Sequence, residues 1–516
     1  MYKVLLTTSG TGSRLGNITK FTNKSLVRVG KKPSISYIIE QYPSDVEFVV
    51  TLGYFGSQVK DFLELAYPNK KFTFVEIDKY EGEGSSLLYS ISKTEKYLQE
   101  PFIFHACDTI TFDEILPPTQ NWLAGCSSGD PSQYRSFNTL NDKVICLNEK
   151  GESNCNYYYM GICGIKDYEF FWDRLKTILK ENAKEQSLSD CHVIRDLLLH
   201  KDVTYKEFTS WLDIGNMKGL SHARTHINDE FHILDKDDES IFIFENFVIK
   251  FFYDKKTCLN RVKRGDILYP YAPKMLGYRD NFYKYEYAKG DLLSRAATEE
   301  NIEKLINWAS ACIWNTKTNE EFEKICEDFY IKKTEKRLLD FYNKNNIKDC
   351  SETINGYKIP PLFDLLGRAK EILLKDCIPT GFHGDFILDN ILIDKDNFIL
   401  LDWRQDFGGK IDIGDMYYDL SKLNHNFIVN HDIVNNNLFT INIDKNNISC
   451  DILCHYNLIK CQQRFLDIVN KKGFNIKKIK ILTSIIWLNM SPLHEYKVGL
   501  FLYYFGKYNL WRTLNV

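Results

Sequence analysis

Three polar side chains near the C-terminal end stand at a spacing suited to phosphoryl transfer. In Gly381-Phe382-His383-Gly384-Asp385-Phe386-Ile387-Leu388-Asp389-Asn390, an aspartate is followed five residues later by an asparagine. The apolar run Phe398–Leu401 then enters Asp402. Phosphoryl transfer needs a carboxylate to orient the attacking hydroxyl, and an amide oxygen and a second carboxylate to hold metal on the nucleotide phosphates. Asp385, Asn390 and Asp402 match those roles in that order. Taken singly, Asp385 and Asn390 could cap a turn and Asp402 could end a buried strand.

A second constellation opens the chain. Leu5-Leu6-Thr7-Thr8-Ser9-Gly10-Thr11-Gly12-Ser13-Arg14-Leu15-Gly16 reads as a strand running into a glycine-containing loop with an arginine, and Lys24 follows ten residues later. Gly10 and Gly12 let backbone amides approach phosphate oxygens, and the two cations neutralise a triphosphate. A dinucleotide site would also use glycines after a strand, but Arg14 stands where that fold wants a third glycine. Phe102-Ile103-Phe104-His105-Ala106-Cys107-Asp108 reads as a strand ending in a carboxylate, and Trp211-Leu212-Asp213-Ile214-Gly215-Asn216 supplies another. Alone, Asp108 could close a strand-end turn and Asp213 could cap a helix. Together on Mg²⁺ they would counter the charge on an α-phosphate as pyrophosphate leaves.

The first constellation resembles the aminoglycoside phosphotransferase and choline kinase family, a small-molecule branch of the protein-kinase-like fold. That resemblance makes Asp385 the catalytic base and Asn390 and Asp402 the metal ligands. It also implies a phosphate-binding lysine, matched by Lys250 on Phe247-Val248-Ile249-Lys250-Phe251-Phe252, and a hinge strand Tyr283–Gly290 where Glu286 meets the nucleotide. The acid partner expected for Lys250 is missing from Asn260-Arg261-Val262-Lys263-Arg264-Gly265-Asp266, where Asp266 is a weak substitute. Asp412–Leu420 resembles the segment after the metal strand, its acids read as helix caps and supports.

The second constellation resembles sugar-phosphate and phosphocholine nucleotidyltransferases, with Asn23 where a proline is usual before Lys24. Arg14 and Lys24 are then catalytic, and Asp108 and Asp213 hold metal. Gly84 and Ser85 in Glu81-Gly82-Glu83-Gly84-Ser85-Ser86 fold over the base, and Glu149 and Lys150 contact the acceptor. The Glu81–Ser86 segment is equally a loop before a capped helix, and Tyr157-Tyr158-Tyr159 equally a two-faced strand.

The elements that position these groups follow from length and periodicity. A chain of 516 residues exceeds one hydrophobic core. Strands at Lys3–Thr8, Val46–Leu52, Lys71–Ile77 and Pro101–Ala106 alternate with helices at Ser34–Gln41, Gly56–Tyr67 and Ser86–Tyr97, which implies a parallel sheet. A polar, acidic run from Asn228 to Ser240 breaks the pattern. The hairpin Ile241–Phe244 and Phe247–Phe252 follows it, then long helices at Ile302–Trp314, Glu320–Tyr342 and Pro361–Cys377. The fold class expected is α/β: a Rossmann-like, GT-A-like nucleotidyltransferase domain over 1–227, a linker over 228–240, and a protein-kinase-like α+β domain over 241–516. The Asn-rich patches 343–346 and 435–447 read as loops.

Composition narrows the partners. A net charge of −3 provides no basic field for nucleic acid. Fourteen cysteines without paired spacing point to reduced thiols in a cytoplasm. No apolar run approaches the roughly 20 residues that span a bilayer, so no membrane insertion is expected. The expected function is a bifunctional enzyme that phosphorylates a choline-like alcohol with ATP and couples the product to CTP, with Mg²⁺ as cofactor, for decoration of surface polysaccharide. Trp403, with Trp308, Trp314, Tyr417 and Tyr418, is the candidate substrate cage for a quaternary amine. A sugar or polyol in place of the choline-like alcohol is the alternative, and a further one makes one half a binding module. The identity of the alcohol, the base preference and the oligomeric state stay open.

Overall fold

A computed structural model of the chain describes residues 2–227 and 236–515. These fall into two compact units: Met1–Cys258 with Leu276–Tyr287, and Leu259–Met275 with Ala288–Val516.

The first unit is built on a nine-stranded mixed sheet in the order Lys71–Glu76, Glu47–Leu52, Lys3–Thr7, Phe102–Ala106, Tyr157–Ile165, Trp122–Cys126, Thr204–Glu207, Lys143–Leu147 and Ser136–Leu140. The first four are parallel, with Leu5 opposite both Val49 and Phe104. Tyr157–Ile165 then runs antiparallel beside Phe102–Ala106. In the central strand Val4, Leu5 and Leu6 are all fully buried, which requires cover on both faces. Val59, Phe62, Leu63 and Ala66 give the helix Gly56–Ala66 one apolar stripe at helical spacing. The expected strands and first two helices form within a residue of their predicted ends; Ser86–Tyr97 is instead a short helix, Leu87–Ser92, and a separate turn, Glu95–Tyr97.

The hairpin expected to open a separate kinase lobe forms as Glu239–Ile243 and Phe247–Phe252, with Phe282–Glu286 alongside. Its apolar face joins the core of the first unit. Phe242 and Phe282 lie 5.4 and 5.9 Å, centroid to centroid, from Phe62, and Lys284 Nζ donates to Leu65 O at 3.1 Å. The compact unit therefore extends past the expected boundary at 228–240, because these phenylalanines bury against the helix Gly56–Ala66. Residues 228–235 of the expected linker lie outside the described residues.

The second unit is mainly helical. Ile476–Met490 is buried around most of its circumference and packs with Met416–Ile428 and Tyr496–Asn515. The expected long helix 320–342 is divided: Phe322–Glu327 and Lys333–Asn345 are separated by a π-helical turn, Asp328–Lys332. The patch 435–447, expected as loop, contains the first strand and the turn of a hairpin formed by Phe439–Asp444 and Asn447–Ile452. Phe439, Ile448 and Cys450 alternate into the core there, a period-two pattern obscured by the intervening asparagines. Among the described residues no helix is long and apolar enough to cross a membrane.

Candidate active sites

In the first unit the parallel sheet delivers the loop after Lys3–Thr7 and the end of Phe102–Ala106 to the same edge. Asp108 is brought to Asp213 by a short antiparallel pairing, Thr109 opposite Asp213, and by Ile214 N–H donating to Asp108 O at 2.9 Å. A Cβ placed on Gly215 would lie 3.0 Å from Asp213 Oδ1, 3.1 Å from Arg14 Nη2 and 3.2 Å from Asp108 Oδ2. Two carboxylates and a guanidinium, each about 100 residues from the next in the chain, thus face one point that only glycine leaves open.

Lys24 Nζ donates to Asp108 Oδ2 at 3.0 Å. Burial opposes ionisation of Asp108, but the charge and hydrogen bond of Lys24, helped by Arg14, hold its carboxyl below the usual range. Asp213 goes the other way: burial and the neighbouring Asp108 raise it, against a hydrogen bond from Tyr134 Oη at 2.7 Å and one from Gly215 N–H at 2.9 Å. Two adjacent carboxylates are hard oxygen donors of the kind that fit Mg²⁺, which takes few protein ligands and completes its shell with phosphate and water. Among the described residues no group of three or more His, Cys, Asp or Glu could hold a metal by itself.

The glycine loop is fixed by sterics. Gly12 sits at φ +66°, and a Cβ there would lie 2.9 Å from Lys24 Cβ and 3.1 Å from Thr19 Cγ2. Gly10 has open space around it. Asn23 is fully buried, donates to Thr8 O at 2.9 Å and Tyr54 O at 2.6 Å, and accepts from Ser25 N–H at 2.9 Å. It staples the lysine turn to the strand end with hydrogen bonds that proline could not make. Gly84 adopts φ +79°, and Ser85 turns back onto Gly82 O, ahead of the cap made by Ser86.

Glu149, expected to meet the acceptor, is held by Arg135 Nε at 3.0 Å and Arg195 Nη1 at 2.6 Å. It orders two arginines and is not a free carboxylate. Lys150 is exposed, with burial of its stem and the nearby Arg14 and Arg135 lowering its pKa while Asp213 raises it. The cations that act on the carboxylate pair are thus Arg14 and Lys24, with Lys150 near Asp213.

In the second unit a hairpin sets the geometry. Ile391–Asp394 pairs with Asn397–Leu400, Ile391 opposite Leu400, and Leu401 N–H donates to Asn390 O at 2.7 Å. Asn390 and Asp402 are thereby neighbours across the open end. Asn390 Nδ2 donates to Asp385 Oδ2 at 3.1 Å, so its side chain is tied to Asp385 through the amide nitrogen. Asp402 adopts φ +50°, costly for a side chain other than glycine. Arg261 Nη1 donates to Asp402 Oδ1 at 2.5 Å, so the helix Lys255–Leu268 brings a cation to this carboxylate where a glutamate had been sought. Asp266 on that helix is exposed.

Asp419 builds the loop before Asp385, accepting from His383 N–H at 2.7 Å, Gly384 N–H at 2.6 Å and Trp314 Nε1 at 3.0 Å. Burial pushes it up to about 6 against those bonds. His383 is brought down to about 4 by burial, so its neutral ring donates from Nε2 to Leu401 O at 2.9 Å and accepts Asp385 N–H on Nδ1.

Of the five rings expected to form an aromatic cage, Trp403, Trp314 and Tyr418 are buried, while Trp308 and Tyr417 are half-buried. Trp403 is 1% exposed, and its Nε1 donates to Arg261 O at 2.8 Å. Trp314 is spent on Asp419, and Tyr418 packs among Phe329, Tyr330 and Phe407. These rings are core because their apolar area outweighs what a substrate could offer them. Lys250 lies buried on Phe247–Phe252, and Glu286 is exposed at the end of Phe282–Glu286; both belong to the first unit. Sequence reasoning passed over Tyr134, Arg135, Arg261 and Lys422, none of which stands in a recognisable local motif.

No family model matches the chain. A bifunctional protein GlmU of Methanococcus vannielii is 24% identical over 219 residues, 40% of this chain and 50% of that protein, so the chain spans about half the length of the curated relative it matches. Among solved structures, the CTP:phosphocholine cytidylyltransferase LicC of Streptococcus pneumoniae is 18% identical, with 44% of this chain and 99% of that one covered and a TM-score of 0.37. The inositol-1-phosphate CTP transferase of T. maritima is 18% identical, with 45% and 98% covered and a TM-score of 0.36. The N-terminal region resembles nucleotidyltransferases.

Proposed function

We propose that the chain is a nucleotidyltransferase in its first unit and a small-molecule kinase in its second. The observation that carries the first activity is the meeting of Arg14, Asp108 and Asp213 at Gly215. Asp108 and Asp213 would hold Mg²⁺, which supplies charge neutralisation at the α-phosphate of a nucleoside triphosphate, CTP in the reading favoured here. Arg14 and Lys24 bind the triphosphate oxygens and offset charge as pyrophosphate departs. A phosphate oxygen of the acceptor bonds to the α-phosphorus, the bond to the bridging oxygen breaks, and no protein nucleophile takes part.

In the second unit Asp385 orients the hydroxyl of a small alcohol toward the γ-phosphate of ATP, and Asn390 and Asp402 would hold the metal. Lys422, 2.7 Å from Asp385 Oδ1, keeps that carboxylate ionised. The product would be the acceptor of the first unit, giving a CDP-linked compound of the sort used in surface polysaccharides. With Trp403, Trp314 and Tyr418 buried, these three rings do not favour a quaternary amine over a sugar or polyol. Fourteen free thiols fit a reducing compartment such as the cytoplasm.

The test incubates the full chain with Mg²⁺, ATP, each of the four nucleoside triphosphates and a panel of alcohols and their phosphates. Pyrophosphate release and product mass are followed. The reading expects a nucleoside-diphosphate-linked product, with Asp108→Asn removing pyrophosphate release and Asp385→Asn removing ADP formation. Retention of either half-reaction in its variant contradicts the role assigned.

A further inference from the structure

We propose that the phosphoryl acceptor of the second unit is a small hydroxylated anion, an alcohol that also carries a carboxylate or phosphate group, bound by Lys333, Arg337 and Arg404 beside Asp385. This rests on the phosphotransfer reading of Asp385 given above.

Arg404 follows Asp402 by two residues and is locked against the catalytic loop. Its N–H donates to His383 O at 3.1 Å, and a Cβ on Gly384 would lie 2.6 Å from Arg404 Cβ and 3.2 Å from Cδ. The stem therefore runs along the residue that precedes the base. The guanidinium carbon is 5.1 Å from the centroid of Phe329, and Lys333 Nζ is 3.9 Å from the same centroid. One ring gathers both cations. Phe329 sits in the π-helical turn Asp328–Lys332, an insertion of a kind that tends to mark functional positions in helices. Arg337 is one turn beyond Lys333 on the same helical face.

The charge is not balanced locally. Lys422 is matched by Asp385. Arg404 Nε and Arg337 Nη1 donate to backbone carbonyls, of Asp406 and Asn489, at 3.0 Å each. Among the described residues no ion pair within 4.0 Å joins Lys333, Arg337 or Arg404 to a carboxylate; Asp406 acts on Lys333 from farther away. Burial, then repulsion from Arg404, Arg337 and Lys422, brings Lys333 down to about 6, so its amine takes up its proton together with the anion it binds. Such an arrangement is costly unless an anion completes it. A quaternary amine would add to the repulsion, whereas a carboxylate or phosphate would gain charge-assisted hydrogen bonds from two side chains that the Phe329 ring already holds in place.

The test measures calorimetric binding of D-glycerate, glycerol phosphate, glycerol and choline to the full chain with Mg²⁺ and ADP, followed by phosphorylation assays with ATP. The two anions are expected to bind and glycerol and choline not to. Arg404→Ala and, separately, Lys333→Ala should weaken the anions by about tenfold or more, with Lys333→Arg restoring most of it. Asp385→Asn should keep binding and lose phosphorylation. Glycerol or choline binding as tightly as the anions, or anion affinity untouched by both alanine variants, overturns the proposal, as does the absence of anion binding. Anion binding that obeys the variants without transfer of phosphate to any acceptor would leave the anion site standing and discard the phosphotransfer reading.

Discussion

Lys422 Nζ lies 2.7 Å from Asp385 Oδ1, and this contact decides the protonation state of the candidate base. Burial alone would raise Asp385; the charge and hydrogen bond of Lys422 outweigh it and hold the carboxyl below its ordinary value. Removing the cation moves the folded-state pKa upward, so the acid limb of the kinase pH profile moves to higher pH. Lys422→Ala is expected to shift that limb by about one unit and to lower kcat roughly 10- to 100-fold. Lys422→Arg should return the limb. An unmoved limb would show that Lys422 does not set the base.

Tyr134→Phe removes the hydroxyl that donates to Asp213 at 2.7 Å. Asp213 is already raised by burial and by Asp108, and the loss lets it rise further. Protons then compete better for the carboxylate, so the Mg²⁺ needed for half-maximal pyrophosphate release should rise by about tenfold, more steeply below pH 7. Titration of activity against Mg²⁺ at two pH values checks this.

Gly12→Ala meets two obstacles at once, a φ of +66° and Lys24 Cβ 2.9 Å from the new methyl group. The loop can relieve the clash only by displacing Lys24 from Asp108. Nucleotidyl transfer should fall by at least about 100-fold, while phosphorylation of the alcohol by the second unit stays within about twofold of wild type. Parallel assays of both half-reactions on one preparation provide the control for folding.

Asn23→Ala strands the buried carbonyl of Thr8, the half-buried one of Tyr54 and the N–H of Ser25. The expected cost is about 2–4 kcal/mol, expressed in the unfolding of the first unit. Denaturant unfolding with separate probes for the two units measures it, and a loss below about 1 kcal/mol would contradict the staple.

Much of the first unit was legible because its strands are continuous apolar runs and its helices carry an apolar stripe at helical spacing. Val4-Leu5-Leu6 and Val59, Phe62, Leu63, Ala66 are each sufficient to fix an element. The pairing of Asp108 with Asp213 was accessible through resemblance alone, since nothing local links residues so far apart. In sequence Trp403 reads as a substrate platform because it stands beside a candidate metal ligand, and only packing shows its ring buried and its N–H donating to Arg261 O. The hairpin read as Ile241–Phe244 and Phe247–Phe252 forms as Glu239–Ile243 and Phe247–Phe252, so its first strand begins inside the expected linker, and which core receives Phe242 and Phe282 is a property of tertiary contact. Lys333 and Arg404 were invisible as partners because the ring of Phe329 that joins them acquires its place from the π-helical turn.

The most direct test of the account is pyrophosphate exchange: the full chain with Mg²⁺, CTP, ³²P-pyrophosphate and the CDP-linked product of the substrate panel, compared among wild type, Asp108→Asn and Asp213→Asn. The convergence at Gly215 predicts label entering CTP with the wild type and a loss of at least about 1,000-fold in either variant, with both variants still phosphorylating the alcohol. Exchange that survives in one of the two variants would contradict a shared metal site and, with it, the nucleotidyl-transfer mechanism.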